Sequence, residues 1–127
     1  MSVYKLMTKP VVKIDAYSTV QEAVEKMSRE HIGSILVTFQ GEDVGIITEK
    51  DILSKIIARK ANAETIKVKE VMSSPIISVE KNTPGEDALR TMVKHGVRRL
   101  PITDKGKIIG IFSTADVTKL AETKPNY

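Results

Sequence analysis

The chain is written twice. Met7 to Ile14, MTKPVVKI, resembles Met72 to Val79, MSSPIISV, at an offset of 65 residues, and the frame then holds without a gap. It pairs Ala23 with Ala88, Met27 with Met92, Thr38 with Thr103, Gly41 with Gly106, Gly45 with Gly110 and Asp51 with Asp116. Apolar positions follow the same frame: Ile32 with Val97, Ile35 with Leu100, Val37 with Ile102, Val44 with Ile109 and Ile47 with Phe112. An internal duplication of this kind restricts the fold to two copies of one supersecondary unit. Each copy is about half a domain, because 127 residues suit one compact module that buries roughly two-thirds of its unfolded surface. The frame bounds a first repeat at 1–60, a polar connector at 61–67 within RKANAETIKVKE, and a second repeat at 68–127.

Both repeats share one grammar. After Met-x-x-Pro comes a β-branched run, VVKI or IISV, whose proline suits a strand start, where a ladder donor is missing. A helix follows: Val20, Ala23, Val24, Met27 and Ile32 form one stripe at helical spacing, and Ala88, Leu89, Met92 and Val93 the other. Ser18 with Gln21, and Thr83 with Glu86, read as capping signatures, with Pro84 at the first helical position. The runs SILVTFQGEDVGIIT and RLPITDKGKIIGIFS then predict hairpins turned at Gly41 and Gly106. A second helix, about 49–59 or 114–122, closes each unit. The fold class expected is α+β, with tandem β-α-β-β-α repeats whose apolar sheet faces pack about a pseudo-twofold axis. A crevice between such repeats is the natural place for a ligand.

Polar chemistry concentrates in a duplicated Gly-h-h-(Thr/Ser)-x-x-Asp, where h is apolar: GIITEKD from Gly45 to Asp51 and GIFSTAD from Gly110 to Asp116. Two readings of it stand side by side. A hydroxyl followed three residues later by a carboxylate is a capping box, and the carboxylate complements the helix dipole. The same geometry offers backbone N–H groups and the Thr48 or Ser113 hydroxyl to a phosphate, and an ionised Asp51 or Asp116 to the paired hydroxyls of a ribose. Cap and grip are compatible, so the motif alone does not separate them.

The twofold frame, Met-x-x-Pro opening each unit, the LPI strand at Leu100–Ile102 and the closing Gly-h-h-(Thr/Ser)-x-x-Asp together resemble a pair of cystathionine β-synthase (CBS) domains, a Bateman module. The resemblance covers nearly the whole chain and leaves no other domain over. It implies a stand-alone regulatory module whose clefts between the repeats bind an adenosine-containing ligand: AMP, ADP, ATP, S-adenosylmethionine or NADH. Carried over by position, Asp51 and Asp116 hold ribose, and Thr48, Ser113, Arg98 and Arg99 meet phosphate. Base and loop contacts fall on Val11, Val12, Lys13, Ile76, Ile77 and Ser78, with Ser18, Thr19 and Thr83 beside them. The repeats differ where phosphate is expected, since Gly33 and Ser34 stand at the places of Arg98 and Arg99. Guanidinium groups recognise phosphate in a bidentate manner, which favours the second repeat. Because neighbours in a strand face opposite ways, one of the two arginines is expected to enter the cleft. The resemblance also implies a homodimer formed through helices, and an effector protein that hears the signal.

Other classes are weighed by what the chain lacks. There is no Cys, and His31 and His95 lie far apart in sequence, so a structural zinc site is not expected. No nucleophile motif or phosphate loop is present, and neither an enzyme nor a catalytic cofactor is expected; the nucleotide is a regulatory ligand. Net charge is +4 with basic and acidic residues interspersed. Nucleic-acid binding stays open as an alternative, as does a purely protein-interacting scaffold, although aromatics are 4% with no Trp and no stacking platform is evident. No apolar run suggests a signal peptide or membrane span, so a cytoplasmic protein is expected.

Overall fold

A computed structural model describes residues 1–122, with side chains as far as Lys119; the end of the second repeat beyond 122 lies outside the described residues. In chain order the elements are α1 (Val3–Leu6), β1 (Lys13–Asp15), α2 (Val20–Glu30), β2 (Ser34–Phe39), β3 (Glu42–Thr48) and α3 (Glu49–Ile52), which runs on as a π-helical turn at Leu53–Ile57. There follow α4 (Val68–Val71), β4 (Val79–Glu80), α5 (Gly85–His95), β5 (Arg99–Asp104), β6 (Lys107–Ser113), a 3-10 turn at Thr114–Asp116 and α6 (Val117–Glu122). The fold is mixed α+β with two three-stranded sheets, β1-β2-β3 and β4-β5-β6. No described helix is long and apolar enough to cross a membrane.

Each sheet joins one parallel pair to one antiparallel hairpin. Lys13 faces Leu36 in the parallel pair, and Ser34 faces Thr48 in the hairpin; Val79 faces Ile102, and Arg99 faces Ser113 in the other sheet. Both hairpins turn on two residues with positive φ, Gln40–Gly41 (51° and 82°) and Lys105–Gly106 (52° and 81°), the twist that matches paired strands. Both carry a register shift at the same frame position, Val37/Thr38 and Ile102/Thr103. Apolar residues on one face of α2 and of α5 close over the sheets. Val20, Ala23 and Met27 are buried with Ile35, Val37 and Ile47, and Ala88 and Met92 with Leu100, Ile102 and Phe112.

The compact units are cut differently from the sequence repeats. One unit is 12–76; the other joins 1–11 to 77–127. The leader of the first repeat therefore folds onto the body of the second, and the leader of the second onto the body of the first. Backbone hydrogen bonds record this in frame. Val3 N–H donates to the Thr83 carbonyl and Gly85 N–H to that of Met1; Val68 N–H donates to the Ser18 carbonyl and Val20 N–H to that of Ile66. Thr8 and Ile111 exchange both backbone bonds, as do Ser73 and Ile46. Burial agrees, since Val3, Leu6 and Met7 sit in the core of 77–122, and Val68 and Val71 in that of 12–76.

The duplicated glycines follow from this packing. A Cβ on Gly45 would meet Met72 Sδ at 2.5 Å and the Ser73 carbonyl oxygen at 3.0 Å; one on Gly110 would overlap Met7 Sδ and meet its Cγ at 2.8 Å. Neither glycine has a positive φ, so space and not backbone freedom demands them. The Met of Met-x-x-Pro and the Gly of Gly-h-h-(Thr/Ser)-x-x-Asp are two sides of one contact.

Several local expectations shift. The cap of α2 is Thr19, whose Oγ1 accepts from Glu22 N–H at 3.1 Å, because the Ser18 backbone is engaged by Asp15 and Val68. The cap of α5 is Pro84, with no side-chain cap bond, since the Met1 carbonyl already takes the Gly85 N–H. Both first strands begin later than their β-branched runs, at Lys13 and Val79, leaving Val11, Val12, Ile76 and Ile77 ahead of them. Val93 is 75% exposed: one residue on from buried Met92, it faces away from the core.

Overpacking of this kind typically costs about 1–3 kcal/mol. Gly110→Ala is therefore expected to lower stability by about that much in urea unfolding, and by clearly less in a Met7→Ala background. Equal costs in both backgrounds would contradict the contact.

Candidate functional site

Each unit gathers its polar side chains where the hairpin's second strand becomes helix. β3 ends at Thr48 and β6 at Ser113; their extended conformation (φ −121° and −124°) gives way to helical turns that turn Asp51 and Asp116 back onto them. Asp51 Oδ2 accepts from the Thr48 N–H at 3.0 Å and the Thr48 hydroxyl at 3.1 Å. Asp116 Oδ2 accepts from the Ser113 N–H at 2.9 Å and its hydroxyl at 3.2 Å. The capping arrangement is thus formed in both repeats. The carboxylates are also deep: Asp51 is 5% exposed and Asp116 4%, the two buried charged residues among those described.

The other oxygen of each carboxylate turns to the leader. Asp51 Oδ1 accepts from the Ser73 hydroxyl at 2.9 Å and pairs with Lys55 Nζ at 2.9 Å. Asp116 Oδ1 accepts from the Thr8 hydroxyl at 3.3 Å and pairs with Lys119 Nζ at 2.8 Å. Each ammonium reaches further, Lys55 to the Val71 carbonyl at 2.7 Å and Lys119 to the Leu6 carbonyl at 3.1 Å. Those carbonyls end α4 and α1, where a helix carbonyl has no intrahelical donor and a cation is favoured.

Thr8 and Ser73 are the second residues of Met-x-x-Pro, and their hydroxyls were a legible signal: both copies carry one directly after Met. The lysines were not legible in the frame, because Lys55 stands over Leu120 and Lys119 over Ser54. They converge through helix geometry. Asp51 and Lys55 are four apart, with Lys55 in the π-helical turn that continues α3, and Asp116 and Lys119 are three apart, with Lys119 in α6; both spacings set side chains alongside on a helix.

The expected phosphate residues divide. Arg98 is exposed and lies before β5, its carbonyl accepting the Thr114 N–H at 3.0 Å, as Gly33 does for Glu49 at 3.1 Å. Arg99 is half-buried, inside β5, and directly opposite Ser113; Ser34 holds that place opposite Thr48. Val11–Lys13 and Ile76–Ser78 are where the chain passes from one compact unit to the other. Val11 follows Thr8 by three residues and Ile76 follows Ser73 by three, so each stretch is tied by chain to the aspartate of the opposite repeat. Lys13 is exposed and paired with Asp43 at 3.1 Å, while Val12 and Ile77 pack against the cores. Ser18, Thr19 and Thr83 are half-buried and serve the turns before α2 and α5. No cluster of three or more His, Asp or Glu among the described residues is placed to hold a metal ion.

The chain is similar in sequence and fold to known proteins. The family model described as CBS domain matches twice, over residues 3–58 and 68–122. The CBS domain-containing protein YhcV of Bacillus subtilis is 36% identical over 116 residues, covering 91% of this chain and 82% of that protein. The uncharacterized protein MK0525 of Methanopyrus kandleri is 34% identical over 122 residues, 94% of this chain but 62% of its own length. Among solved structures, a hexameric CBS-CP12 protein from bloom-forming cyanobacteria superposes with a TM-score of 0.88 at 27% identity, covering 98% of this chain and 76% of that one. With both repeats matched across most of the sequence, the chain belongs to the CBS domain family, as a tandem pair.

Proposed function

We propose that this chain is a regulatory module that binds an adenine nucleotide of the AMP, ADP or ATP type at its duplicated aspartates. Family membership supports a regulatory role in general. The observation that carries the finer reading is the burial of Asp51 and Asp116 at the heads of short helices, each framed by a backbone N–H and a hydroxyl. A cap needs no such depth. Half-buried Thr19 and exposed Glu22 cap α2 without it, and a buried carboxylate costs free energy unless its bonds are made. In this reading the carboxylate takes the ribose diol, and Thr48 or Ser113 takes phosphate. Arg99, across the ladder from Ser113, gives the second repeat the stronger hold on a charged ligand, with Arg98 next to it on the exposed approach. Self-association is part of the proposal, supported by the hexameric state named for the CBS-CP12 relative. A nucleotide-dependent change in affinity for an effector protein is the regulatory output.

A ligand that binds only the folded form raises its melting temperature. Titration with AMP, ADP and ATP, alongside S-adenosylmethionine and NADH, is expected to raise the Tm for at least one adenine nucleotide, and no response to any of them would overturn the proposal. Asp116→Asn should abolish most of that response and also destabilise the ligand-free protein by about 1–3 kcal/mol, because a buried charge-assisted network is broken. Asp51→Asn should destabilise by a similar amount yet leave more of the ligand response. An Asp116→Asn protein that is destabilised but responds fully would reduce the motif to a cap.

A further inference from the structure

An ionised carboxylate offers about four lone-pair sites. In both units all four are spoken for. Asp51 holds the Thr48 N–H, the Thr48 and Ser73 hydroxyls and the Lys55 ammonium, and Asp116 holds the Ser113 N–H, the Ser113 and Thr8 hydroxyls and the Lys119 ammonium. A diol that donates two O–H bonds to either aspartate has to displace donors already there. The N–H is fixed by the strand-to-helix turn. On Oδ1 both donors belong to the leader or fasten it: Ser73 and Thr8 are leader residues, and Lys55 and Lys119 also bond the last carbonyls of α4 and α1. Two lysines that do not correspond in the duplication nonetheless bridge the same pair of acceptors, which marks the bridge as a feature of each unit and not of the repeat's frame.

We propose that Lys55 and Lys119 are latches that ligand binding releases: a diol seated on the aspartate evicts the ammonium or the leader hydroxyl from Oδ1, and the leader loosens from the unit it packs on. This rests on the nucleotide reading above. Lys55 and Lys119 are then positioning residues that convert occupancy of a small site into mobility of a backbone segment whose α1 and α4 seats are otherwise buried. The output is a leader that opens more often while the folded protein as a whole gains stability.

Backbone amide exchange separates these effects, because local opening is read residue by residue. The reporters are the Thr8 N–H, bonded to the Ile111 carbonyl at 2.8 Å, and the Ser73 N–H, bonded to that of Ile46 at 2.8 Å. In the full chain, the adenine nucleotide giving the largest rise in Tm is expected to speed Thr8 exchange about tenfold, the loss of one charge-assisted bond. Lys119→Met should speed it as much without nucleotide, and nucleotide should then add nothing. Lys119→Arg, which keeps the charge and donors, should restore the nucleotide-dependent change; Lys55→Met should do for Ser73 what Lys119→Met does for Thr8. Slowed or unchanged Thr8 exchange in wild-type protein whose Tm has risen overturns the latch and leaves the nucleotide reading standing. If no nucleotide raises the Tm, the nucleotide reading and the release built on it fall together.

Discussion

Met7 and Met72 lie where Gly110 and Gly45 would carry side chains, and the rest of each unit is arranged around that contact. A thioether is flexible enough to follow an irregular gap, and a strand without a Cβ lets it come down to the backbone. Once the methionine is seated, the next residue pairs with the strand, as Thr8 does with Ile111 and Ser73 with Ile46. The helix before it covers the end of the core with Val3 and Leu6, or with Val68 and Val71. The carbonyl two residues ahead of Val68 or of Val3, that of Ile66 or Met1, then accepts the first N–H of α2 or α5. Each body is completed by a leader that belongs, in sequence, to the other repeat. A single repeat of this chain is therefore an incomplete unit: the core of 77–122 has three of its fully or nearly buried residues supplied from positions 3, 6 and 7.

The same seat explains why the aspartates are deep. The leader passes directly beside the strand-to-helix turn, bringing the Thr8 or Ser73 hydroxyl to the buried carboxylate. Burial would be costly for a lone charge, and the lysine offsets it at the same oxygen that takes the leader hydroxyl, while also donating to the last carbonyl of α4 or α1. Capping, charge neutralisation and leader docking meet at two oxygen atoms. A hub of that kind is economical for regulation, since any ligand that competes for those oxygens perturbs all three.

How much of this was legible depended on whether a signal was local or relational. The 65-residue frame, the hairpins turned at Gly41 and Gly106, and the helical stripes through Met27 and Met92 are local patterns, and the elements stand where those patterns put them. The caps moved by one residue because Ser18 and Thr83 lend their backbones to the opposite leader, a contact that short-range grammar does not carry. Helix α1 was readable only by analogy: Val3–Leu6 is the frame image of Val68–Val71, although MSVYKL has little helical pattern of its own. At the site, Thr48, Ser113, Asp51 and Asp116 were visible as a motif, and Thr8 and Ser73 as an unremarked hydroxyl after Met. Lys55 and Lys119 were invisible to the frame because a π-helical continuation follows one aspartate and a 3-10 turn precedes the other, shifting the partner by one position.

The most direct test of leader exchange is a set of methyl nuclear Overhauser effects on the full chain with labelled methionines. Cross-peaks from the Met7 methyl to Gly110 and Ile111, and from the Met72 methyl to Gly45 and Ile46, are the predicted result. Cross-peaks from Met7 to Gly45 and from Met72 to Gly110 would mean that each repeat completes itself, and would contradict the account.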